Sequence, residues 1–259
     1  MFYSGKTDIG KVRSTNQDSF SVKAYSENLL VAIVCDGMGG VQGGNVASET
    51  AVEYFFKSLE SKNIINLDDG EKIPTKAATA ALGQAVVEAN TAVYEKSLSS
   101  KEYAGMGTTL TACIVVGNRL IVANVGDSRL YVDANKKLTQ ITQDHSYVQF
   151  LVDVGDITPE EAKTHPYRNR ITRAIGIQPD VECDIFTMEL DKNQNPKILI
   201  CSDGLCGQVD DTVMHKAINA ARKRGEDDEA RLDRVCSNLI KKALDNGGPD
   251  NITAILISV

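Results

Sequence analysis

At residues 31–40 the chain reads Val31-Ala-Ile-Val-Cys-Asp36-Gly37-Met-Gly-Gly, an apolar β run that stops at an acidic residue followed by glycines. A second run ends in the same way, at Ile198-Leu-Ile-Cys-Ser-Asp203-Gly204. An Asp at the end of a buried strand lies between a low-dielectric interior and open solvent, where its charge is strongly felt. The two runs therefore predict a β-rich fold with acidic residues at the ends of its strands.

Two further acidic residues occupy comparable positions. Asp127 follows the apolar run 120–125, and Asp250 comes just before the last run, 252–257. Several carboxylates brought together repel strongly unless a cation lies among them. Oxygen ligands without an accompanying Cys or His pair favour Mg²⁺ or Mn²⁺ over Zn²⁺. The sequence therefore predicts a carboxylate metal site.

The bulk composition is that of an ordinary globular protein. The 259 residues include 42% hydrophobic and 24% charged residues, which suits one large domain or two small ones with ample core. A net charge of −7 argues against a general nucleic-acid or anionic-membrane surface. We therefore expect neither nucleic acid nor a membrane as a partner.

The six cysteines form no CxxC pair, and most of them lie in apolar segments. This pattern is typical of buried thiols in a reducing compartment. The first residues contain no signal-peptide-like apolar region, and no apolar run reaches the roughly 18–20 residues of a membrane span. We expect a cytoplasmic protein.

Hydrophobic periodicity predicts strands in runs and helices in pairs. Predicted strands lie near 2–9, 18–25, 29–36, 108–116, 119–125, 129–132, 181–190, 197–202 and 252–257. Predicted helices lie near 44–60, 75–99, 147–154, from 158 onward, near 209–221, and after the polar segment 222–229, with 61–75 as a loop. Hairpin-type connections favour an α+β fold over a doubly wound parallel sheet.

Three loop features bear on function. The glycine run 37–44 lacks the dinucleotide and Walker spacings, so it suits either a plain strand-to-helix turn or a turn beside a metal, with the Gly37 carbonyl as an extra ligand. Arg13 is by default a solvated loop residue, but its planar fork suits a phosphate dianion near a cation cluster. Asp18 is by default an Asx-turn residue.

Taken together, the motifs resemble the metal-dependent protein phosphatase (PPM, or type 2C) family, in its compact bacterial form. Eight motifs occur in the family's order: Asp8-Ile-Gly-Lys-Val-Arg13-Ser-Thr-Asn16-Gln-Asp18, Asp36-Gly-Met-Gly-Gly, Gly107-Thr-Thr109, Val125-Gly-Asp127-Ser-Arg129, Asp144-His145-Ser, Ile171-Thr-Arg173-Ala-Ile-Gly176, Cys201-Ser-Asp203-Gly and Asp250-Asn251-Ile-Thr253. Any one motif is weak, but eight in order over essentially the whole chain are very specific.

The resemblance implies a four-layer α-β-β-α sandwich, with two central antiparallel sheets flanked by helix pairs. It also implies a single catalytic domain over 1–259, with a helical flap inserted at about 146–175 beside the cleft. The flap holds an arginine cluster that reads either as a solvated face or as a contact for phosphoprotein substrates: Arg168, Arg170 and Arg173.

By the same resemblance, the cleft holds two Mn²⁺ or Mg²⁺ ions. Asp36 would bridge both ions and Gly37 would contribute its carbonyl. Asp203 and Asp250 would hold the second ion. These four residues form the expected dinuclear centre.

Three more positions match functional residues of the family. Asp127 matches an acid that, with Asp203, supports a third and weaker metal in bacterial relatives. Arg13 matches the arginine that grips the substrate phosphate, and Asp18 an acid in or behind the metal shell. Architectural roles are implied for Asn251, Arg129, Arg173 and the Gly-Thr-Thr run.

The implied activity is hydrolysis of phosphoserine and phosphothreonine in proteins, by direct attack of a metal-bridging hydroxide. The expected partners are phosphorylated Ser/Thr proteins, with a bacterial Ser/Thr kinase and its substrates among them, and we expect a monomer. Two alternatives stay open at this point. One is a relative that binds phosphoproteins without hydrolysis, and the other is a phosphatase of small-molecule phosphoesters.

Overall fold

The computed structural model describes residues 1–40, 43–61 and 73–259. Over these residues the strands are β1 (Phe2–Asp8), β2 (Asp18–Ser26), β3 (Leu29–Met38), β4 (Gly107–Thr108), β5 (Leu110–Val116), β6 (Arg119–Val125), β7 (Arg129–Ala134), β8 (Lys137–Gln140), β9 (Asp184–Glu189), β10 (Lys197–Cys201) and β11 (Ile252–Ser258). The α-helices there are α1 (Gly43–Ser61), α2 (Thr75–Ser99), α3 (Tyr147–Asp153), α4 (Pro159–Thr164), α5 (Asp203–Cys206), α6 (Asp211–Ile218) and α7 (Asp228–Asp245).

The described strands form two antiparallel sheets that pack face to face. One sheet has the order β1-β11-β10-β7-β8, and the other has the order β2-β3-β5-β6-β9, with the short β4 paired to β3. Every strand pairing in both sheets is antiparallel. The α+β prediction with two central antiparallel sheets is confirmed.

Strand β3 illustrates why the sheets stack. Its side chains alternate between two faces, as the period of a strand requires. Leu30, Ala32 and Val34 lie in the core between the sheets, whereas Leu29 and Val31 lie in the core beneath the helices. Because both faces are buried, this strand is apolar throughout until it reaches the acidic residue at its end.

Helices cover the outer face of each sheet. α1 and α2 pack on the sheet that contains β3, β5 and β6, and α6 and α7 pack on the sheet that contains β10 and β11. In α7 the apolar stripe of Leu232, Val235, Leu239 and Ala243 is buried, as its fourfold spacing predicts. No helix in the described ranges is long and apolar enough to cross a membrane.

The predicted elements differ from the observed ones in several places. The predicted helix 209–221 covers only Asp211–Ile218, because Asn219 leaves the helical path and donates its side-chain amide to Asp133, at 2.9 Å. The predicted strand 181–190 is the shorter Asp184–Glu189. Helix α5 was not predicted, since one helical turn has no periodicity to detect. Strand β8 was not predicted as a separate strand. The loop expected at 61–75 lies mostly outside the described residues.

Helices occupy only the first part of the expected flap, 146–175. α4 begins with a capping box, in which Thr158 Oγ1 accepts from the Glu161 N–H and Glu161 Oε2 accepts from the Thr158 N–H. After α4 the chain has turns and irregular backbone, which two bridges attach to the rest of the fold. These join Ser146 to Ile171 and Thr108 to Ile175.

Asn90 on α2 fastens the segment that follows the flap. Its side chain is 1% exposed, accepts from the Gly176 N–H at 2.8 Å, and donates to the carbonyls of Gln178 and Pro179, both at 3.0 Å. We expect Asn90→Leu to lower the free energy of unfolding by about 2–4 kcal/mol, because it leaves buried polar groups without partners. Urea unfolding measures this change.

The neighbouring Thr91→Ala is the matched control. Thr91 is exposed, and its hydroxyl donates only to Val87 of its own helix. This variant should stay within about 0.5 kcal/mol of the parent protein. Equal effects of the two substitutions would contradict the anchoring role of Asn90.

Candidate metal centre

The predicted acidic residues come together at one edge of the sandwich. Asp36 lies near the end of β3 and pairs in register with Asp18, the first residue of β2. Asp203 follows β10, Asp127 follows β6, and Asp250 precedes β11. Each of these strands stops at this edge, so residues far apart in sequence become neighbours.

The pKa values of the carboxylates show that these groups are buried and lie near one another. Burial is the largest cause of a raised pKa in four of them, and repulsion from neighbouring carboxylates adds to it. The pKa of Asp36 and of Asp127 lies well above the usual range, that of Asp203 is raised to about 6, and that of Asp18 to about 7. For Asp203, the neighbouring charge that raises the pKa is the carboxylate of Asp250. Protons or a cation must therefore neutralise this cluster.

Two carboxylate oxygens lack any partner that would explain their burial. Asp18 Oδ1 and Asp203 Oδ1 are buried and have no hydrogen bond with any residue in the described parts of the chain. Orphaned buried acceptors are uncommon, and a cation is one group that satisfies them. With carboxylates and backbone carbonyls as the available donors, the residues fit Mn²⁺ or Mg²⁺.

The ligand set is not closed by side chains. No group of three or more His, Cys, Asp and Glu residues in the described parts of the chain is arranged to hold a metal ion as it stands. Mg²⁺ characteristically keeps several waters and takes only one or two protein carboxylates, so an open arrangement still suits it. The ligand roles of Asp36, Asp203 and Asp250 remain predictions.

Asp18 lies at the floor of the cluster. It is 7% exposed, and its Oδ2 accepts from the hydroxyls of Ser202, at 2.7 Å, and Thr253, at 2.6 Å. Ser202 immediately precedes Asp203, so Asp18 is tied to the segment that carries that residue. Ser202 was not among the predicted site residues. Its position between a buried strand and an acidic residue is the sequence feature that could have indicated its role.

Gly37 is surrounded by backbone. A Cβ at this position would come within 2.0 Å of the Gly44 carbonyl oxygen and 2.6 Å of the Gln17 carbonyl oxygen. Its N–H donates to that Gln17 oxygen at 3.1 Å. Only glycine permits this approach, so the turn after β3 depends on it. The Gly37 carbonyl as a metal ligand remains a prediction.

Hydroxyl groups hold the backbone of Asp36. Thr109 Oγ1 accepts from the Asp36 N–H, and Thr108 Oγ1 donates to the Asp36 carbonyl, both at 2.9 Å. The hydroxyls of Thr109 and Ser128 are 2.8 Å apart, which connects Asp36 to the turn that carries Asp127. The architectural reading of the Gly-Thr-Thr run agrees with these contacts.

Asn251 connects the loops on the other side of the cluster. Its Oδ1 accepts from the Gln17 N–H at 2.8 Å, and its Nδ2 donates to the carbonyls of Ile9 and Thr15, at 2.9 and 3.0 Å. This buried side chain therefore holds the loop between β1 and β2 against the start of β11. Its predicted architectural role agrees with these contacts.

Arg13 lies on that same loop. Its Nη2 donates to Asp250 Oδ2 at 2.7 Å, and this hydrogen bond is the largest cause of a raised pKa for the guanidinium. The carboxylates of Asp36 and Asp203 favour its charge as well. Arg13 is therefore beside the acidic cluster, where its fork can reach an anion bound there.

A cleft of about 910 Å³ opens above the acidic cluster. Its lining includes Arg13, Asp127, Asp203 and Asp250, together with flap residues that include Arg168. A second cavity, of about 810 Å³, lies near the turn between β5 and β6, and none of the predicted site residues line it.

The arginines of the flap have different surroundings. Arg168 lines the cleft, and its guanidinium has no ion pair or hydrogen bond with any residue that the structure describes. Arg170 instead stacks on the Tyr167 ring, 3.9 Å from its centroid. Arg173 pairs with Asp184 at 2.8 Å. The predicted cluster is therefore not one surface.

The comparisons with known proteins agree with this geometry. The family model for protein phosphatase 2C matches residues 10–242. The serine/threonine phosphatase stp of Listeria monocytogenes is 36% identical over 252 residues, which cover 97% of this chain and 93% of that protein. Similarity to a phosphatase of this kind extends over nearly the full length of the chain.

Solved structures are similar over the same length. The crystal structure of the Mycobacterium tuberculosis serine/threonine phosphatase PstP/Ppp has a TM-score of 0.81 at 37% identity, covering 98% of this chain and 96% of that chain. A structure of the PstP catalytic domain in complex with two manganese ions has a TM-score of 0.78 at 35% identity, with the same two coverages.

The buried carboxylates predict how stability depends on pH when metal is removed. Asp18 and Asp203 have raised pKa values in the folded state, so between about pH 4 and 7 the folded chain holds more protons than the unfolded chain. In EDTA, the free energy of unfolding should therefore fall from pH 5 to pH 8 by roughly 4 kcal/mol. Urea unfolding at both pH values measures it.

Asp18→Asn tests the origin of this slope. Its amide is neutral at both pH values, so the fall in stability should be smaller than in the parent protein. Asp211→Asn, at an exposed position on the cleft rim, is the matched control and should keep the parental slope. Equal slopes in all three proteins would show that Asp18 does not titrate in this range.

Proposed function

The chain belongs to the protein phosphatase 2C (PPM) family of metal-dependent protein serine/threonine phosphatases, and on that premise we propose which of its residues carry the reaction. Asp36, Asp203 and Asp250 would hold two Mn²⁺ or Mg²⁺ ions, with Asp36 as the ligand that both ions share. The Gly37 carbonyl completes the set. The observation that carries this assignment is the unpartnered, buried Asp203 Oδ1 beside the raised-pKa carboxylate of Asp36.

Two other acidic residues support the centre. Asp127, which is 9% exposed and repelled by Asp203, is suited to a third and weaker metal. Asp18 lies at the floor of the cluster, where its buried Oδ1 has no partner among the described residues and its carboxylate is repelled by Asp203 and Asp250. We propose that Asp18 either supports the metal ligands from behind or binds the third metal.

The metal pair supplies an acidified water as nucleophile and positive charge for the phosphoryl group. The residues of this chain position the ions and bind the substrate phosphate. Asp36, Asp203 and Asp250 fix the ions at the edge of the sandwich. Arg13 binds the substrate phosphate through its planar fork, which neutralises charge that grows on the equatorial oxygens. The flap forms a wall of the cleft.

We propose that the substrates are phosphorylated Ser/Thr proteins, among them a bacterial Ser/Thr kinase and the proteins it modifies. An open cleft of about 910 Å³ suits a phosphorylated segment of a protein better than an enclosed small molecule. We further propose that residues 1–259 act as one catalytic domain and as a monomer. The six free thiols favour the reducing cytoplasm as its location.

Activity should depend on metal and on Asp203. With Mn²⁺ we expect hydrolysis of p-nitrophenyl phosphate and of a phosphothreonine peptide. EDTA should abolish both activities, and Asp203→Ala should lower both by at least about a hundredfold, since it removes a ligand of the reacting centre. Initial rates measure the effect.

Asp211→Ala is the matched control, because it removes a carboxylate from the cleft rim and no proposed ligand. It should keep near-parental rates on p-nitrophenyl phosphate. Activity that persisted in EDTA would contradict the metal assignment. Peptide binding without turnover in Mn²⁺ would favour the non-hydrolysing alternative, and turnover of the aryl phosphate alone would favour a small-molecule substrate.

The flap arginines should differ in their effect on protein substrates. Arg168→Ala should raise KM for a phosphoprotein by about tenfold, since the free guanidinium that lines the cleft is available for a charge-assisted hydrogen bond. The same variant should change kinetics with p-nitrophenyl phosphate by less than about twofold, because that substrate is too small to reach the flap. Steady-state kinetics on both substrates separates the effects.

Arg170→Ala is the control on the same segment, because Arg170 stacks on Tyr167 and does not line the cleft. It should leave both substrates near parental values. If the two variants raise KM for the phosphoprotein equally, the flap acts as a diffuse positive surface, and Arg168 has no special position.

A further inference from the structure

Asp250 differs from Asp203 in its hydrogen bonds, because both of its carboxylate oxygens have partners. Its Oδ1 accepts from the Asn251 N–H at 2.8 Å, and its Oδ2 accepts from Arg13 at 2.7 Å. By contrast, Asp203 and Asp18 each keep one buried oxygen without a partner. Both oxygens that Asp250 could offer to a metal therefore already accept a hydrogen bond, and one of them accepts it from a cation of the protein itself.

A divalent ion and a guanidinium repel each other at a shared oxygen. Two like charges at contact distance interact unfavourably even near a protein surface, and the metal carries twice the charge of Arg13. A metal ion that approaches Asp250 must therefore displace Arg13 or share the oxygen with it under repulsion. Either outcome weakens the binding of the metal.

We propose that Arg13 is a built-in competitor for the metal at Asp250, so that metal binding releases the Arg13 fork to receive the substrate phosphate. This rests on the proposed function of the same site. Arg13 and the metal would compete for the Asp250 carboxylate, and a displaced guanidinium would lie in the cleft that Arg13 lines. By linkage, an anion that draws Arg13 away from Asp250 also strengthens metal binding.

The structure permits this exchange through a side-chain movement. The Arg13 side chain is 50% exposed, so it can rotate without repacking a core. The backbone of its loop is fixed near Arg13, because the Lys11 N–H donates to the Gly248 carbonyl at 2.7 Å. Asn251 ties the loop to the Asp250 segment as well. Both backbones stay in place while the guanidinium changes partner.

The test is the affinity for Mn²⁺ in the absence of any substrate. Arg13→Met keeps much of the stem and removes the competing charge. Calorimetric titration of the metal-free protein should show tighter Mn²⁺ binding in this variant, by about two- to fivefold, as expected for the loss of a partly exposed ion pair. The difference should shrink at high salt, because screening weakens the pair.

Lys11→Met is the matched control. Lys11 is exposed on the same loop, and its side chain makes no ion pair with a residue that the structure describes. If Arg13 acts through Asp250, this variant should bind Mn²⁺ as the parent protein does. Equal tightening by both substitutions would show a general effect of charge and would overturn the inference.

The remaining outcomes are distinct. Arg13→Met with parental or weaker Mn²⁺ affinity would overturn the competition while leaving the metal centre itself intact. Absence of Mn²⁺ binding in the parent protein would overturn the proposed function, and this inference with it. Circular dichroism of each variant in EDTA tests whether that variant is folded before metal is added.

Discussion

Mutual repulsion among buried carboxylates is the constraint on which the rest of this structure depends. Asp18, Asp36, Asp127 and Asp203 all have raised pKa values, and burial is the largest cause in each. A charge removed from water is tolerated only when it is paired, hydrogen-bonded or neutralised. The site meets this requirement with hydroxyl donors beneath Asp18 and an arginine beside Asp250. We propose that divalent cations meet it for the remaining oxygens.

The scaffold keeps these residues close despite their repulsion. Two sheets with cores on both faces make the strand ends rigid, since close-packed interiors do not deform easily. Asn251 then fastens the loop between β1 and β2 to the segment that carries Asp250, and Thr109 holds the end of β3 that carries Asp36. A site held by buried strands and polar clamps is preorganised, so binding energy need not be used to assemble it. The flap is attached to this part of the fold by the bridges that join Ser146 to Ile171 and Thr108 to Ile175.

Much of the fold was readable from the sequence, because strand β3 is a continuous apolar run and helix α7 has a strong helical periodicity. The observed strands β5, β6 and β11 also lie within about two residues of their predicted bounds. The prediction was wrong where an element depends on a distant contact. Asn219 follows the last residue of α6 and donates its side-chain amide to Asp133 on strand β7. No local sequence pattern reveals this contact. α5 is a single turn between a buried strand and a loop, and it is too short to show a period.

The sequence by itself determined which residue types stand at the ends of apolar runs, because burial dictates hydrophobic strands and leaves an Asp only at their ends. It therefore determined the layered α+β fold and the acidic candidates for the metal centre. Only the tertiary structure decided which side chains share a partner. It placed Arg13 on Asp250, Ser202 and Thr253 on Asp18, and Arg168 in the cleft away from Arg170. The physical reason is that hydrogen bonds and ion pairs depend on distances between residues far apart in the chain, and periodicity contains no information about those distances.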